Sequence, residues 1–258
     1  MINGEIISNT QLKNTYYKVD FHAPELCENA KAGQFAHVKI SGIPNKVLRR
    51  PFSISNVDKN GTLTIIYKVV GTGTEVLSTL KPGAICDIMG PLGNPFTAPV
   101  KPEIPVIIAG GYGTAATYLI AKNSQVPGIL LLGARSSKDL ILTEEFRKLG
   151  FEVKVSTEDG SEGHKGRVTE LMEKQLSGNT GNMKFYACGP HGMLMAAGKI
   201  ILEHGLDGEL SLDHLMCCGV GACFACVVKV KADSEDGWRY ARTCKEGPVF
   251  KASQVYYD

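Results

Sequence analysis

Residues 105–121 read PVIIAGGYGTAATYLIA. The unbroken apolar run from Val106 to Ala109 suits a strand covered on both faces rather than one. Gly110, Gly111 and Gly113 then mark a tight turn, and the apolar residues from Ala115 to Ala121 continue as a helix. Strand, glycine turn and helix in this order form the place where an α/β sheet binds a nucleotide. Alone, a G-G-x-G turn is a weak signal, because strand-to-helix turns also use glycine for steric reasons.

The same alternation continues downstream. GILLLGA (128–134), FEVKVST (151–157) and MKFYACG (183–189) are apolar runs, and AATYLIAKN (115–123) and MLMAAGKIILEHG (193–205) are helical segments, so a parallel sheet covered by helices is expected. At the end of the MKFYACG run, Cys188, Gly189 and Pro190 form a second turn into a helix and join the three glycines as candidate nucleotide-site residues. Cys188 is equally well explained as a small buried hydrophobe. The polar, Gly-rich stretch TEDGSEGHKGRVTEL (157–171) reads as a loop over that site or as a plain surface connection.

Upstream the pattern changes. FAHVKI, TLTIIYKVV and AICDIMG are short alternating runs separated by Gly, Pro, Asn and Asp, which predicts a small antiparallel barrel. The chain therefore divides into a barrel domain (1–98), an α/β domain (99–207) and a short C-terminal module (208–258) that is cysteine-rich and otherwise expected to be loop-like. The fold class is multi-domain β plus α/β.

The C-terminal module holds CCGVGACFAC followed by RTC, which places Cys218, Cys223, Cys226 and Cys244 at C-x4-C-x2-C-x17-C. That spacing is close to the plant-type ligand pattern for a 2Fe-2S cluster and makes electron transfer the first hypothesis. Gly219 and Gly221 let the backbone bend closely around such a cluster with its amides turned towards sulfur. Zinc is the alternative, although its sites usually arrange cysteines as two close pairs. Cys217 sits beside the first ligand, but counting from it gives five intervening residues.

The 258 residues are 43% hydrophobic with a net charge of +2, which gives no support to a nucleic-acid role. A chain this long buries a core without covalent staples, so its eight cysteines argue for a reducing compartment rather than for disulfides. MINGEIISNT lacks the basic start and apolar run of a signal peptide, and no stretch of about 18 apolar residues appears. A cytoplasmic protein is expected. His22, His37, His164, His191, His204 and His214 are scattered with no triad spacing, and none is assigned a catalytic role.

Two pieces of the barrel invite a ligand. Arg49-Arg50-Pro51-Phe52-Ser53 precedes Ile66-Tyr67-Lys68 on the next strand, and Gly71, Gly73 and Thr74 open the following helix. A guanidinium holds a pyrophosphate through paired hydrogen bonds, and helix N-terminal amides favour anions. Equally, Arg50 reads as a solvated strand-end charge and Phe52 as a core residue.

Taken together, RPFS, IYK, GT, GG-x-G, CGP, the four-cysteine pattern and GPVF resemble the iron-sulfur flavoprotein electron-transfer subunit of NAD-linked dihydroorotate dehydrogenase, within the ferredoxin reductase superfamily. The resemblance covers essentially the whole chain. It implies an FAD held by Arg50, Pro51, Phe52, Ser53, Ile66, Tyr67, Lys68, Gly73 and Thr74, and cluster ligation by Cys218, Cys223, Cys226 and Cys244. It also implies NAD at Gly110, Gly111, Gly113, Cys188, Gly189 and Pro190, and a catalytic partner subunit that oxidises dihydroorotate on FMN in pyrimidine biosynthesis. Two positions depart from the superfamily. The turn usually continues as GGGIG with a proline beyond, whereas this chain reads GGYGTAA; Tyr112 is then either a surface residue or fills space where the dinucleotide would run. Lys68 stands where related chains often carry Arg. The alternative function is a diverged flavin and iron-sulfur adaptor for another oxidoreductase, with weak or no NAD binding.

Overall fold

The structure is a computed structural model and describes residues 1–43, 48–178, 181–212 and 215–257. Antiparallel strands β1 (Ile2–Lys13), β2 (Tyr16–His22), β3 (Phe35–Lys39), β4 (Arg50–Val57), β5 (Thr62–Lys68) and β6 (Ile85–Leu92) close a barrel in the order β1-β2-β5-β4-β3-β6. Period-two patterning builds it. On β2, Val19 and Phe21 are fully buried, while Lys18 and Asp20 form a 3.0 Å ion pair on the other face. Ile54, Leu63, Ile65 and Ile88 complete the core, each burial contributing roughly 1.5–3 kcal/mol. Helix α1 (Pro24–Cys27) follows β2, and α2 (Thr72–Thr79) follows β5.

The second sheet is built from β7 (Ile104–Gly110), β8 (Ile129–Ala134), β9 (Glu152–Thr157), β10 (His164–Lys165), β11 (Met183–Cys188) and β12 (Asp207–Ser211), all parallel. Helices α3 (Gly113–Asn123), α4 (Thr143–Lys148), α5 (Val168–Leu176) and α6 (His191–Glu203) connect them. The strand β7 shows why its run is unbroken. Val106 and Ile108 pack into the core under α5 and α6, whereas Ile107 and Ala109 pack into the opposite core with Ile120 and Phe146.

The C-terminal stretch is not loop-like apart from its cysteines, which corrects the expectation above. It contains a hairpin of β13 (Val227–Lys231) and β14 (Trp238–Arg242), and β15 (Val249–Lys251) pairs antiparallel with β12 at the edge of the parallel sheet. Strands of three to five residues at an edge carry too little apolar alternation to be read from sequence. The polar stretch 157–171 likewise holds β10 and the first turn of α5 as well as loop.

Barrel and sheet share a tight seam. Tyr16 and Ile66 of the barrel pack with Ala115 and Ile141, and Lys68 forms a 2.9 Å ion pair with Asp139. The buried Glu209 carboxylate on β12 accepts hydrogen bonds from the Thr97 amide and hydroxyl, at 2.8 and 2.5 Å, which ties down the connection between the two sheets. Among the described residues, no helix is long and apolar enough to cross a membrane.

Candidate functional site

A pocket of about 300 Å³ opens where the barrel meets the second sheet. Arg50, Pro51, Phe52 and Ser53 reach it from β4, Ile66, Tyr67 and Lys68 from β5, and Thr74 from the first turn of α2. Two sequence-distant motifs thus converge because β4 and β5 are hydrogen-bonded neighbours. A larger cavity of about 390 Å³ lies between α6 and the β13–β14 hairpin and is lined by none of the candidate residues, so the chemistry points to the smaller one.

Gly73 lies under the Arg50 guanidinium: a Cβ there would stand 2.6 Å from Arg50 Nε. The cation is therefore held against the N-terminal turn of α2. A guanidinium and free helix amides at one place suit a diphosphate, the first by bidentate bonds and the second by oriented dipoles. The Thr74 hydroxyl is already engaged, accepting from the amides of Val70 (2.9 Å) and Gly71 (3.3 Å). Phe52 meets the Tyr67 ring edge-on at 5.9 Å, giving an aromatic wall for a planar ligand. Lys68 lines the pocket, but its ammonium is held by Asp139 and lies 5.0 Å over the Tyr16 ring. The Asp139 hydrogen bond, helped by Tyr16 and the Asp139 charge, raises its pKa against the opposing effect of burial.

The nucleotide-turn residues are brought together outside this pocket, and against one another. A Cβ on Gly113 would stand 2.3 Å from the Cys188 carbonyl oxygen; one on Gly110 would stand 2.8 Å from Pro190 Cδ, and one on Gly189 3.0 Å from the Gly110 amide nitrogen. These glycines let the turn after β7 seat on the turn after β11. Gly111 has φ +56, a left-handed conformation that favours glycine. Tyr112, half exposed at the start of α3, does reach the barrel-side pocket.

The cysteines are assembled by the hairpin. Val227 pairs with Arg242, so the ends of β13 and β14 set Cys226 beside Cys244 across the 17-residue gap, and the Thr243 amide donates to the Cys226 carbonyl at 2.9 Å. The Cys218 thiol interacts with Cys223, and the Cys244 thiol with Cys226 and, through its charge, with Cys218. Among the described residues, no three His, Cys, Asp or Glu side chains converge on one ion.

Burial pushes the Cys218 thiol up, but the backbone amides of Val220, Cys223 and Ala222, together with the Cys223 side chain, win and bring it to about 6. The Ala222 amide donates to Cys218 Sγ at 3.3 Å. Burial and the neighbouring Cys226 push Cys244 up to about 12.

Sequence reasoning missed three features. Phe35 and Met216 each line the pocket and each pack in one cluster with Cys226 and Cys244, so the pocket and the cysteine loop share a wall. His37, on β3, is fully buried against the loop: a Cβ on Gly219 would stand 2.5 Å from its Nδ1. Burial, with the Arg49 charge, lowers its pKa to about 4; the Cys218 and Arg49 carbonyls pull the other way, yet neither ring nitrogen reaches good hydrogen-bond geometry. No local pattern announces these three, because their partners lie far along the chain. His214 lies outside the described residues.

Comparison with known proteins matches each part of the chain to a family model. Residues 5–96 match the oxidoreductase FAD-binding domain, 107–199 the oxidoreductase NAD-binding domain, and 213–256 the iron-sulfur cluster binding domain of dihydroorotate dehydrogenase B. The dihydroorotate dehydrogenase B (NAD+) electron transfer subunit of Desulforamulus reducens is 38% identical, over 95% of this chain and 94% of its own. That of Fusobacterium nucleatum is 39% identical over 96% and 95%. Among solved structures, a chain from the study of flavin-based electron bifurcation in NADH-dependent reduced ferredoxin-NADP oxidoreductase superposes with a TM-score of 0.86, at 29% identity, covering 99% of this chain and 90% of that one. A Neisseria gonorrhoeae ferredoxin NADP+ reductase shares the fold at a TM-score of 0.63 and 18% identity, covering 79% of this chain and 91% of that one.

Proposed function

Because the chain belongs to the family of dihydroorotate dehydrogenase B electron transfer subunits, we propose that it passes electrons from a dihydroorotate-oxidising FMN subunit to NAD through a 2Fe-2S cluster and FAD. The route belongs to pyrimidine biosynthesis, and the working form is a hetero-oligomer. FAD supplies the coupling chemistry, since a flavin exchanges single electrons with a cluster and a hydride with a nicotinamide.

The observation that carries this reading is the wall shared by the pocket and the cysteine loop, Phe35 and Met216. Arg50 and the α2 amides would hold the FAD diphosphate, and Phe52, Ser53, Ile66 and Tyr67 would line its ring, with Pro51, Lys68, Gly73 and Thr74 completing the site. Cys218 and Cys223 would hold one iron, Cys226 and Cys244 the other. The turns at Gly110, Gly111 and Gly113 and at Cys188, Gly189 and Pro190 would carry NAD. In this division the FAD unit is 1–98, the NAD unit 99–207 and the cluster unit 208–258, the last lending β12 residues and β15 to the parallel sheet.

An anaerobic absorbance titration with NADH, after FAD, iron and sulfide have been quantified, tests the path. Bleaching of flavin and cluster together is expected; a response to dithionite alone would sink the NAD-linked reading. Cys223→Ser should abolish cluster absorbance and leave FAD bound, because Cys223 lines no part of the FAD pocket. A normal 2Fe-2S spectrum in that variant would remove Cys223 from the ligand set.

The structural likeness to the bifurcating oxidoreductase over 99% of this chain favours a second reading, an electron-transfer subunit serving another oxidoreductase. Dihydroorotate-dependent NAD reduction on adding a dihydroorotate dehydrogenase FMN subunit separates the two.

A further inference from the structure

Strand β3 lies between the FAD motif and the cysteines, and it touches both. Along one edge it pairs with β4, with Phe35 opposite Ser53 and His37 opposite Pro51. Ala36 and Val38 pack in the barrel core, so Phe35 and His37 share the outer face, on which the next residue, Lys39, is already exposed. On that face Phe35 packs with Met216, Cys226 and Cys244, while His37 meets Gly219, the residue after Cys218. Residues two apart on one strand thus contact opposite ends of the cysteine pattern.

A histidine on the outer face of a strand is ordinarily solvated, yet His37 has no exposed surface. The cysteine loop covers it. A Cβ on Gly219 would stand 2.5 Å from Nδ1, 3.1 Å from Cε1 and 3.3 Å from Cγ, and Gly219 has φ +70, so a glycine is needed for the loop to lie on the ring.

An imidazole carries at least one N–H whatever its charge, and burying that donor unpaired is unfavourable. The carbonyls of Cys218 and Arg49 lie beside the ring, but neither ring nitrogen reaches good hydrogen-bond geometry with them or has another partner among the described residues. Of the two carbonyls, that of Cys218 belongs to the peptide leading into Gly219, which lies against Nδ1. Resting on the FAD and cluster assignment above, we propose that His37 is a positioning residue for the cluster: its Nδ1–H donates to the Cys218 carbonyl in the loaded protein and ties the first ligand segment to the strand that carries the FAD motif. Phe35 does the same for Cys226 and Cys244 by packing. One strand then holds both ends of the ligand set at a fixed place relative to the flavin.

The test uses the purified chain with FAD and cluster in place, as wild type, His37→Asn and His37→Leu. The two replacements share one branched skeleton, and only Asn has an N–H two bonds from Cβ, where Nδ1 stands in histidine. The readouts are the rate of cluster loss to an iron chelator, the electron paramagnetic resonance spectrum after dithionite reduction, and the rate of electron transfer from cluster to FAD after a flash-generated electron pulse. Removing a group that holds a metal ligand in place typically costs 10–100-fold, so His37→Leu is expected to lose its cluster about tenfold faster or more. Its resonance spectrum should change and its transfer to FAD should slow, with FAD content unchanged, whereas His37→Asn should stay within about twofold of wild type. If the two variants behave alike, whether both intact or both impaired, the hydrogen bond does not hold the loop and the proposal is wrong, while the cluster reading stands. If His37→Leu does not retain FAD, His37→Phe, which fills the ring's space without an N–H, takes its place with the same expectations; loss of FAD from both would make His37 a packing residue of the barrel and overturn the proposal. Wild type that holds FAD but neither iron nor sulfide would bring down the cluster reading and the proposal together.

Discussion

Two turns in this molecule carry glycine and threonine into the start of a helix, and they use them in opposite ways. At Gly71–Thr74, opening α2, the space left by Gly73 is taken by the Arg50 guanidinium. At Gly110–Thr114, opening α3, the space left by Gly113 is taken by the Cys188 carbonyl. The threonines are alike: Thr74 and Thr114 both donate to a carbonyl of their own turn, at 2.9 and 2.8 Å. What distinguishes the turns is thus the neighbour each glycine admits, a long cationic side chain in one and backbone in the other. The first arrangement, a guanidinium beside a helix N-terminus, suits an anion. The second joins two strand ends, so its glycines have a steric reason to be there whether or not a dinucleotide binds.

That contrast can be broken by substitution. Gly113→Ala should have the largest effect, about 3 kcal/mol or more, because backbone cannot yield at 2.3 Å. Calorimetry should show a melting temperature lower by several degrees; an unchanged value would mean that the two turns are less tightly joined than their contact implies. Arg50→Ala comes next. Charge-assisted hydrogen bonds of roughly 1.5–3 kcal/mol predict FAD binding weakened about 10- to 100-fold, measured by titrating apoprotein. An unchanged FAD dissociation constant would assign Arg50 to the surface. Gly73→Ala should have the smallest effect, about 1 kcal/mol or less, since the long Arg50 side chain can move aside. A loss as large as that of Gly113→Ala would erase the distinction between the turns.

The fold was legible wherever burial on one or two faces imposes a local period. The unbroken run of β7, covered by helices on both sides, and the alternation of β2 are of this kind. The iron-sulfur module was legible for a different reason, since the pattern C-x4-C-x2-C-x17-C is written directly in spacing. The hairpin inside the 17-residue gap was not. VVKVK and WRYAR are short and charged, and they become strands by pairing with each other. Of the FAD candidates, the sequence brings out Lys68 as a pocket residue but not its 2.9 Å pairing with Asp139, 71 residues away.

By itself, then, the sequence determined the strand and helix alternation and displayed the cysteine pattern and the Arg50 motif, because each is written in local period or fixed spacing. Only the tertiary structure decided that Phe35 and Met216 would form one wall between pocket and cysteines, that His37 would press on Gly219, and that Tyr112 would reach the barrel. Those contacts arise from packing between segments up to 182 residues apart, His37 against Gly219, and no local period records which distant surface a side chain will meet.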